Sequence, residues 1–260
     1  MSYEHLLIVR DGRVATVTVN RPDKMNALNT GIVADLADCF AVLGADEDVG
    51  AVVLTGSGEK AFVAGADIGE LAELDAVGAE RMALKGQAMV DTIANLDKPE
   101  IAAVHGFALG GGCELAMACT FRYAAEGARL GLPETGLGLI PGYGGTQRLA
   151  RLVGRGRALE MILSGDMIDA ETAFRLGLVN RICPAGELLE TAQGVAAKLA
   201  AKSPLALSAA LRAVNGGLEL GQADGCRLEA SIFGVCASSQ DASEGCQAFL
   251  EKRKPEFKGK

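Results

Sequence analysis

One phrase recurs along this chain: a short run of small and β-branched residues ends in glycine and passes through a loop into the first turn of a helix. AVVLTGSG leads to Ala66-Asp67-Ile68, and IAAVHGFALGGG leads to Gly111-Gly112-Cys113-Glu114. ARLGLPE then leads through TGLGLIPGYGGT to the helical QRLARLV. Apolar runs bounded by glycine read as buried strands, and strands alternating with helices read as winding units. The first two units point the same way, and the three together predict a winding α/β architecture.

The flanks fit that frame. LLIVRDGRVATVTVN reads as a β-hairpin around Asp11-Gly12. RPDKMNALN reads as a polar loop, and TGIVADLADCFAVLGAD has helical periodicity with Thr30 as its N-cap. Beyond about residue 185 four successive segments read as helices with no strand signal between them. The expected division is therefore a winding core over residues 1–190 and a helical region over 191–260. The apolar faces of those last helices exceed what a short tail could cover alone, which predicts self-association.

At 260 residues and 49% apolar the chain can bury a full core. A formal net charge of -8 disfavours nucleic acid or an anionic membrane as partner, so a polyanionic ligand would need a local basic cluster. No apolar run reaches the length of a membrane span, and the first residues are charged, so the expected location is the cytoplasm. Seven scattered cysteines lack any C-x-x-C pair and read as reduced thiols, not as a disulfide or metal framework. With two histidines, His5 and His105, a His-rich metal site is excluded, and no G-x-S-x-G elbow is present.

A glycine turn that opens a helix can bind phosphate or can stabilise charge that appears during a reaction. GFALGGG and GLGLIPG lack the spacings of nucleotide loops. The loops ending at Ala66 and Gly111 can each offer a backbone N–H at a helix start, and two converging donors are what an enolate oxygen requires. The alternative is that the glycines serve tight turns and close packing alone. Glu114 lies one short turn into the helix that Gly111 opens, and Glu134 follows Pro133 in GLPETG. A glutamate in either place is ordinarily a cap or a solvated charge. Apolar and glycine neighbours on both sides predict burial and raised pKa values instead. Two carboxyls in one apolar pocket couple, so one holds a proton while the other accepts one, which suits moving water across a double bond.

The segments TVNRPDKMNAL, AFVAGADIGEL, KPEIAAVHGFALGGGCELAMAC, RLGLPETGLGLIPGYGGTQRLARLVG, SGDMIDAETAFRLGLVNRICP and EGCQAFLEKRKPEF follow one another over nearly the whole chain. In that order they resemble the enoyl-CoA hydratase/isomerase (crotonase) superfamily. The resemblance implies a spiral of ββα repeats with a C-terminal helical region that forms trimers, or hexamers as pairs of trimers. It implies an acyl-CoA thioester as substrate, with no separate cofactor and no metal. By the match of AGAD and GGGCE, the N–H groups of Ala66 and Gly111 would form the oxyanion hole. Glu114 would be the base on water and Glu134 the acid that supplies the α-proton. Members with other activities commonly alter one or both glutamates, whereas both stand here, so the resemblance favours a hydratase giving 3-hydroxyacyl-CoA.

For the CoA ester the resemblance points to Lys24, Asn26, Ala27 and Leu28, and to Ala64, Asp67 and Ile68. Gly110 lets the backbone approach the thioester, Pro133 precedes the acid, and Gly142 borders the water and the substrate carbonyl. Arg21, Lys24, Lys252 and Lys254 are the basic candidates for CoA phosphates. Phe249 and Phe257 either close a neighbouring subunit's site or simply pack. Residues 69–90 would cover the acyl pocket. The chain departs from many relatives at His105 and Thr120, neither of which touches the expected chemistry, and His105 reads as a satisfied histidine beneath the loop. Two other readings stay open: a double-bond isomerase working through Glu134, and a non-catalytic acyl-CoA-binding subunit.

Overall fold

A computed structural model describes residues 3–260. The hairpin forms where Asp11-Gly12 predicts it: β1 (Leu6–Asp11) pairs antiparallel with β2 (Val14–Val19), in a register that sets Asp11 opposite Val14. Four further strands extend the sheet in parallel, namely β3 (Ala51–Gly56), β5 (Glu100–Val104), β7 (Phe121–Ala125) and β10 (Arg181–Cys183). The strand order is β1-β2-β3-β5-β7-β10. Every residue of β3 and β5 is buried. This explains their unbroken apolar runs, since a parallel sheet is covered on both faces.

A second sheet accounts for the glycine loops. β4 (Ala61–Val63), β6 (Phe107–Leu109) and β8 (Arg129–Gly131) lie parallel, and β9 (Ile168–Asp169) closes the order antiparallel to β8. Each turn of the spiral thus places one strand in the large sheet, crosses to the small one, and then enters a helix. β3 and β4 lead to α2 (Ile68–Ala72) and α3 (Ala76–Ala94), and β5 and β6 lead to α4 (Gly111–Ala118). β7 and β8 lead through a 3-10 turn (Glu134–Leu137) to α5 (Gly145–Val153). The sequence reading takes β4 and β6 as loop, because three residues are too few to show alternation, whereas in the third turn its apolar run ARLGLPE marks β8 and leaves β7 unread.

The first helix, α1 (Thr30–Ala45), is capped by Asn29, whose side chain accepts the Ile32 N–H. Thr30 is the first helical residue and not the expected cap; its hydroxyl donates to Glu70 instead. α4 packs on β4 closely enough that a Cβ on Gly112 would stand 1.9 Å from the Val63 carbonyl oxygen. The helix can approach the strand only with glycine at this position.

After α6 (Arg155–Ser164) and α7 (Ala170–Leu176) come the predicted four helices: α8 (Leu188–Ala200), α9 (Pro204–Gly217), α10 (Gln222–Ala237) and α11 (Gln240–Glu251). The expected division at 190/191 falls inside α8. That helix buries Leu188, Ala192, Ala196 and Ala200 against the outer face of the large sheet, beside Ala51, Val53 and Ile101. α8 therefore packs with the core, whereas α9 and α10 bury none of their residues within the chain.

Candidate active site

Ala66 and Gly111 meet because β4 and β6 are adjacent parallel strands that run into helices at the same edge of the small sheet. The Gly65 Cα lies 3.7 Å from where a Cβ on Gly110 would be. Gly111 is the first residue of α4, so its N–H has no carbonyl one turn behind it. Ala66 forms a parallel bridge with Leu28, in which the Leu28 N–H donates to Gly65 and the Asp67 N–H donates to Leu28, each at 2.8 Å. The middle residue of such a bridge turns its own N–H to the other side. Two uncommitted donors thus stand on neighbouring loops.

Glu114 follows on α4 and is 1% exposed. Its Oε1 accepts the Tyr143 N–H at 2.8 Å and the Gly145 N–H at 2.6 Å, which leaves Oε2 for another partner. Gly145 opens α5, so one of that helix's unpaired N–H groups is used to hold a carboxylate. Burial, reinforced by the charge of Glu134, pushes Glu114 up to about 7 against the pull of those N–H donors. Glu134 opens the 3-10 turn behind Pro133, and burial raises its pKa as well. Its Oε1 lies 3.0 Å from the position of a Cβ on Gly110, a residue held at φ 50°, so any side chain at 110 would meet the carboxyl. Its Oε2 is buried with no hydrogen-bond partner among the described residues.

Both glutamates line one cavity of about 1480 Å³. Ala64, Ala66 and Ile68 form part of its wall from one loop, and Gly110 and Gly111 from the next. Pro133 and Gly142 complete that side, and α3 supplies Ala79, Met82, Ala83 and Gln87 opposite. The Gln87 amide donates to the Gly142 carbonyl at 2.9 Å and so ties α3 to the loop that holds Glu114. Sequence reasoning missed Tyr143, Gly145 and Gln87. The glycines of IPGYGGT before a helix were the available signal, because they promise free N–H donors.

The early loop contributes differently from expectation. Lys24, Asn26, Ala27, Leu28 and Asp67 are not part of the cavity wall. Asn26 is fully buried, its amide donating to the carbonyls of Ser57 and Ala61 at 2.9 Å and its Oδ1 accepting the Arg21 N–H. Its side chain is thereby spent on shaping the loop. Leu28 is also fully buried. Asp67 caps α2 and pairs with Arg21 at 2.7 Å, which holds its carboxyl below the usual range and commits the guanidinium. Lys24, by contrast, is exposed at the end of a 3-10 turn over Pro22–Lys24. Lys252 and Lys254 are exposed beyond α11, and Phe249 is exposed near its end, whereas Phe257 packs toward Gly245.

Cys113 is buried in the core and reduced. His105 lies outside the cavity and is satisfied only in part, with a hydrogen bond to the Gly58 main chain. Its Nε2 is buried without a partner among the described residues, and burial lowers its pKa. Thr120 donates its hydroxyl to Glu100, which is 2% exposed and pushed by burial to about 8.

A family model described as enoyl-CoA hydratase/isomerase matches residues 10–260. The chain is 44% identical over 257 residues to a crotonyl-CoA hydratase from Syntrophomonas wolfei, covering 99% of each. It is 43% identical to a short-chain-enoyl-CoA hydratase from Clostridium acetobutylicum, covering 98% of each. The crystal structure of an enoyl-CoA hydratase from Bacillus anthracis superposes with a TM-score of 0.96 at 38% identity, covering 99% of this chain and 100% of that one.

Proposed function

From the premise that this chain belongs to the enoyl-CoA hydratase/isomerase family and is an enoyl-CoA hydratase, we propose the residues that carry the reaction. The substrate's thioester carbonyl sits between the Ala66 and Gly111 N–H groups. The bonds from both donors strengthen as charge develops on that oxygen, and fixed donors of this kind lower the barrier without reorganising. Glu114, held through Oε1, turns Oε2 to a water. As the water oxygen bonds to C3, Glu114 takes its proton and the C2=C3 electrons move toward the thioester as an enolate. Glu134 then gives its proton to C2. The pair starts and ends with one proton between its two carboxyls, moved from Glu134 to Glu114, and the dehydration direction reverses each role.

The carrying observation is the geometry of the two acids: one buried carboxyl is gripped by two N–H donors and the other holds an unpartnered buried oxygen. A proton shared between them is supported by the raised pKa of both. Water and the acyl-CoA are both substrates, so the scheme calls for no further cofactor. The apolar wall of α3 and the names of the two curated relatives favour a short linear acyl chain, with exposed Lys24 as a basic candidate for the CoA phosphates.

The finer calls extend that reading. The uncovered faces of α9 and α10 support assembly into a trimer or a pair of trimers. Among the described residues no helix is long and apolar enough to cross a membrane, and we place the enzyme in the cytoplasm. Loss of the conjugated thioester absorbance of crotonyl-CoA tests the reaction. Glu114→Gln is expected to lower kcat by about 100-fold or more, as is Glu134→Gln, each without a matching rise in KM. Near-normal turnover in Glu114→Gln would instead indicate isomerase chemistry through Glu134.

A further inference from the structure

Tyr143 is 5% exposed and stands where three parts of the site meet. Its main-chain N–H holds Glu114, while its ring runs on between α4 and α3. One edge of the ring lies 3.4 Å from the position of a Cβ on Gly111, the expected oxyanion donor. The opposite edge lies 2.1 Å from the position of a Cβ on Gly86, which is buried in α3. The absent side chain at 86 is thus the space the ring occupies. The loop carrying Tyr143 is pinned from both sides, by the Gln87 amide on Gly142 and by Glu114 on the N–H groups of 143 and 145.

A thioester carbonyl at Gly111, with its C3 beside Glu114, directs the acyl tail past these two residues, and the Tyr143 ring plugs the space between them and α3. We propose that Tyr143 is the chain-length stop of this enzyme, a specificity-determining residue that closes the acyl pocket against α3. The proposal rests on the enoyl-CoA reading above. The ring, not the phenol hydroxyl, does this, since the hydroxyl oxygen is buried with no partner among the described residues. Removing the ring opens room beside Gly86 for several methylenes, and each methylene accommodated in an apolar pocket favours the longer substrate by about 10-fold or more.

The test compares kcat/KM for four-, six-, eight- and ten-carbon 2-enoyl-CoA thioesters in wild type, Tyr143→Ala, Tyr143→Leu and Tyr143→Phe. In Tyr143→Ala the eight- to four-carbon ratio is expected to rise by about 10-fold or more, with Tyr143→Leu showing a smaller rise. Tyr143→Phe should keep the wild-type ratio, because it keeps the ring. An unchanged ratio in both Tyr143→Ala and Tyr143→Leu overturns the proposal, as does a ratio in Tyr143→Phe that matches Tyr143→Ala. Calorimetric binding of saturated acyl-CoA thioesters of the same lengths reads the wall without turnover. If wild type hydrates none of the series, the enoyl-CoA reading fails, and the binding profile alone then decides whether Tyr143 limits the chain.

Discussion

Two buried glutamates in this chain have raised pKa values for the same physical reason, and only one of them can reach a substrate. Glu100 is pushed to about 8 and Glu114 to about 7, both chiefly by loss of water. Glu100 spends its oxygen on Thr120 and does not line the cavity, whereas Glu114 does. A perturbed carboxyl therefore becomes a candidate base only with access and a partner. In the mechanism proposed above Glu114 works ionised and Glu134 protonated, which fixes the sign of the expected pH dependence. Acidifying through about 7 protonates the base, and alkalinising removes the proton of the acid, so kcat/KM against pH is expected to be bell-shaped. Its acid limb should fall near 7, in the range of Glu114, and not near the ordinary carboxylate range. A profile flat from pH 5 to pH 9 in stopped-flow hydration assays would contradict the assignment.

At the scale of elements, the site depends on how closely α4 sits on β4. The packing that brings Gly111 beside Ala66 leaves no room for a side chain at Gly112, where a Cβ would meet a backbone oxygen at 1.9 Å. Backbone cannot swing aside as a flexible side chain can, so Gly112→Ala must move the helix. The expected cost is about 1–3 kcal/mol in urea unfolding, together with a fall in kcat, because the same shift displaces the Gly111 N–H and Glu114. Gly127→Ala is the control, since a Cβ there meets nothing within 4 Å, and its change should stay within about 0.5 kcal/mol. Equal effects of the two substitutions would show that the close approach of α4 to β4 is not what holds the site.

For the whole molecule, the informative feature is apolar surface left uncovered. Leu218, Phe233 and Val235 around α9 and α10 are each more than 70% exposed, and Phe249 and Leu250 of α11 are 80% exposed or more. Large side chains so exposed on neighbouring helices are the kind of surface that the proposed assembly would cover. Light scattering is expected to give a mass near a multiple of three times 26.7 kDa. Phe233→Asp should shift that mass toward the single chain, because a charge buried at an interface carries a desolvation cost with no partner to offset it. A wild type that runs as a monomer at micromolar concentration would count against the trimer.

The sequence by itself determined what covalent neighbourhood fixes. Gly111 and Glu114 are three residues apart on one helix, so the proposed donor and the proposed base are placed together as soon as the helix forms. The alternation of buried strand, glycine and helix start likewise specified the winding fold, because burial on both faces demands those apolar runs. Only the tertiary structure decided which groups meet across long separations. The N–H of Gly145 reaches Glu114 from 31 residues away, and Arg21 takes Asp67 from 46 away. Asn26 is drawn into the interior. The space left by Gly86 receives the ring of Tyr143. Such pairings are set by how helices and sheets pack, which depends on the summed shape of many side chains, and no local pattern in the sequence encodes that sum.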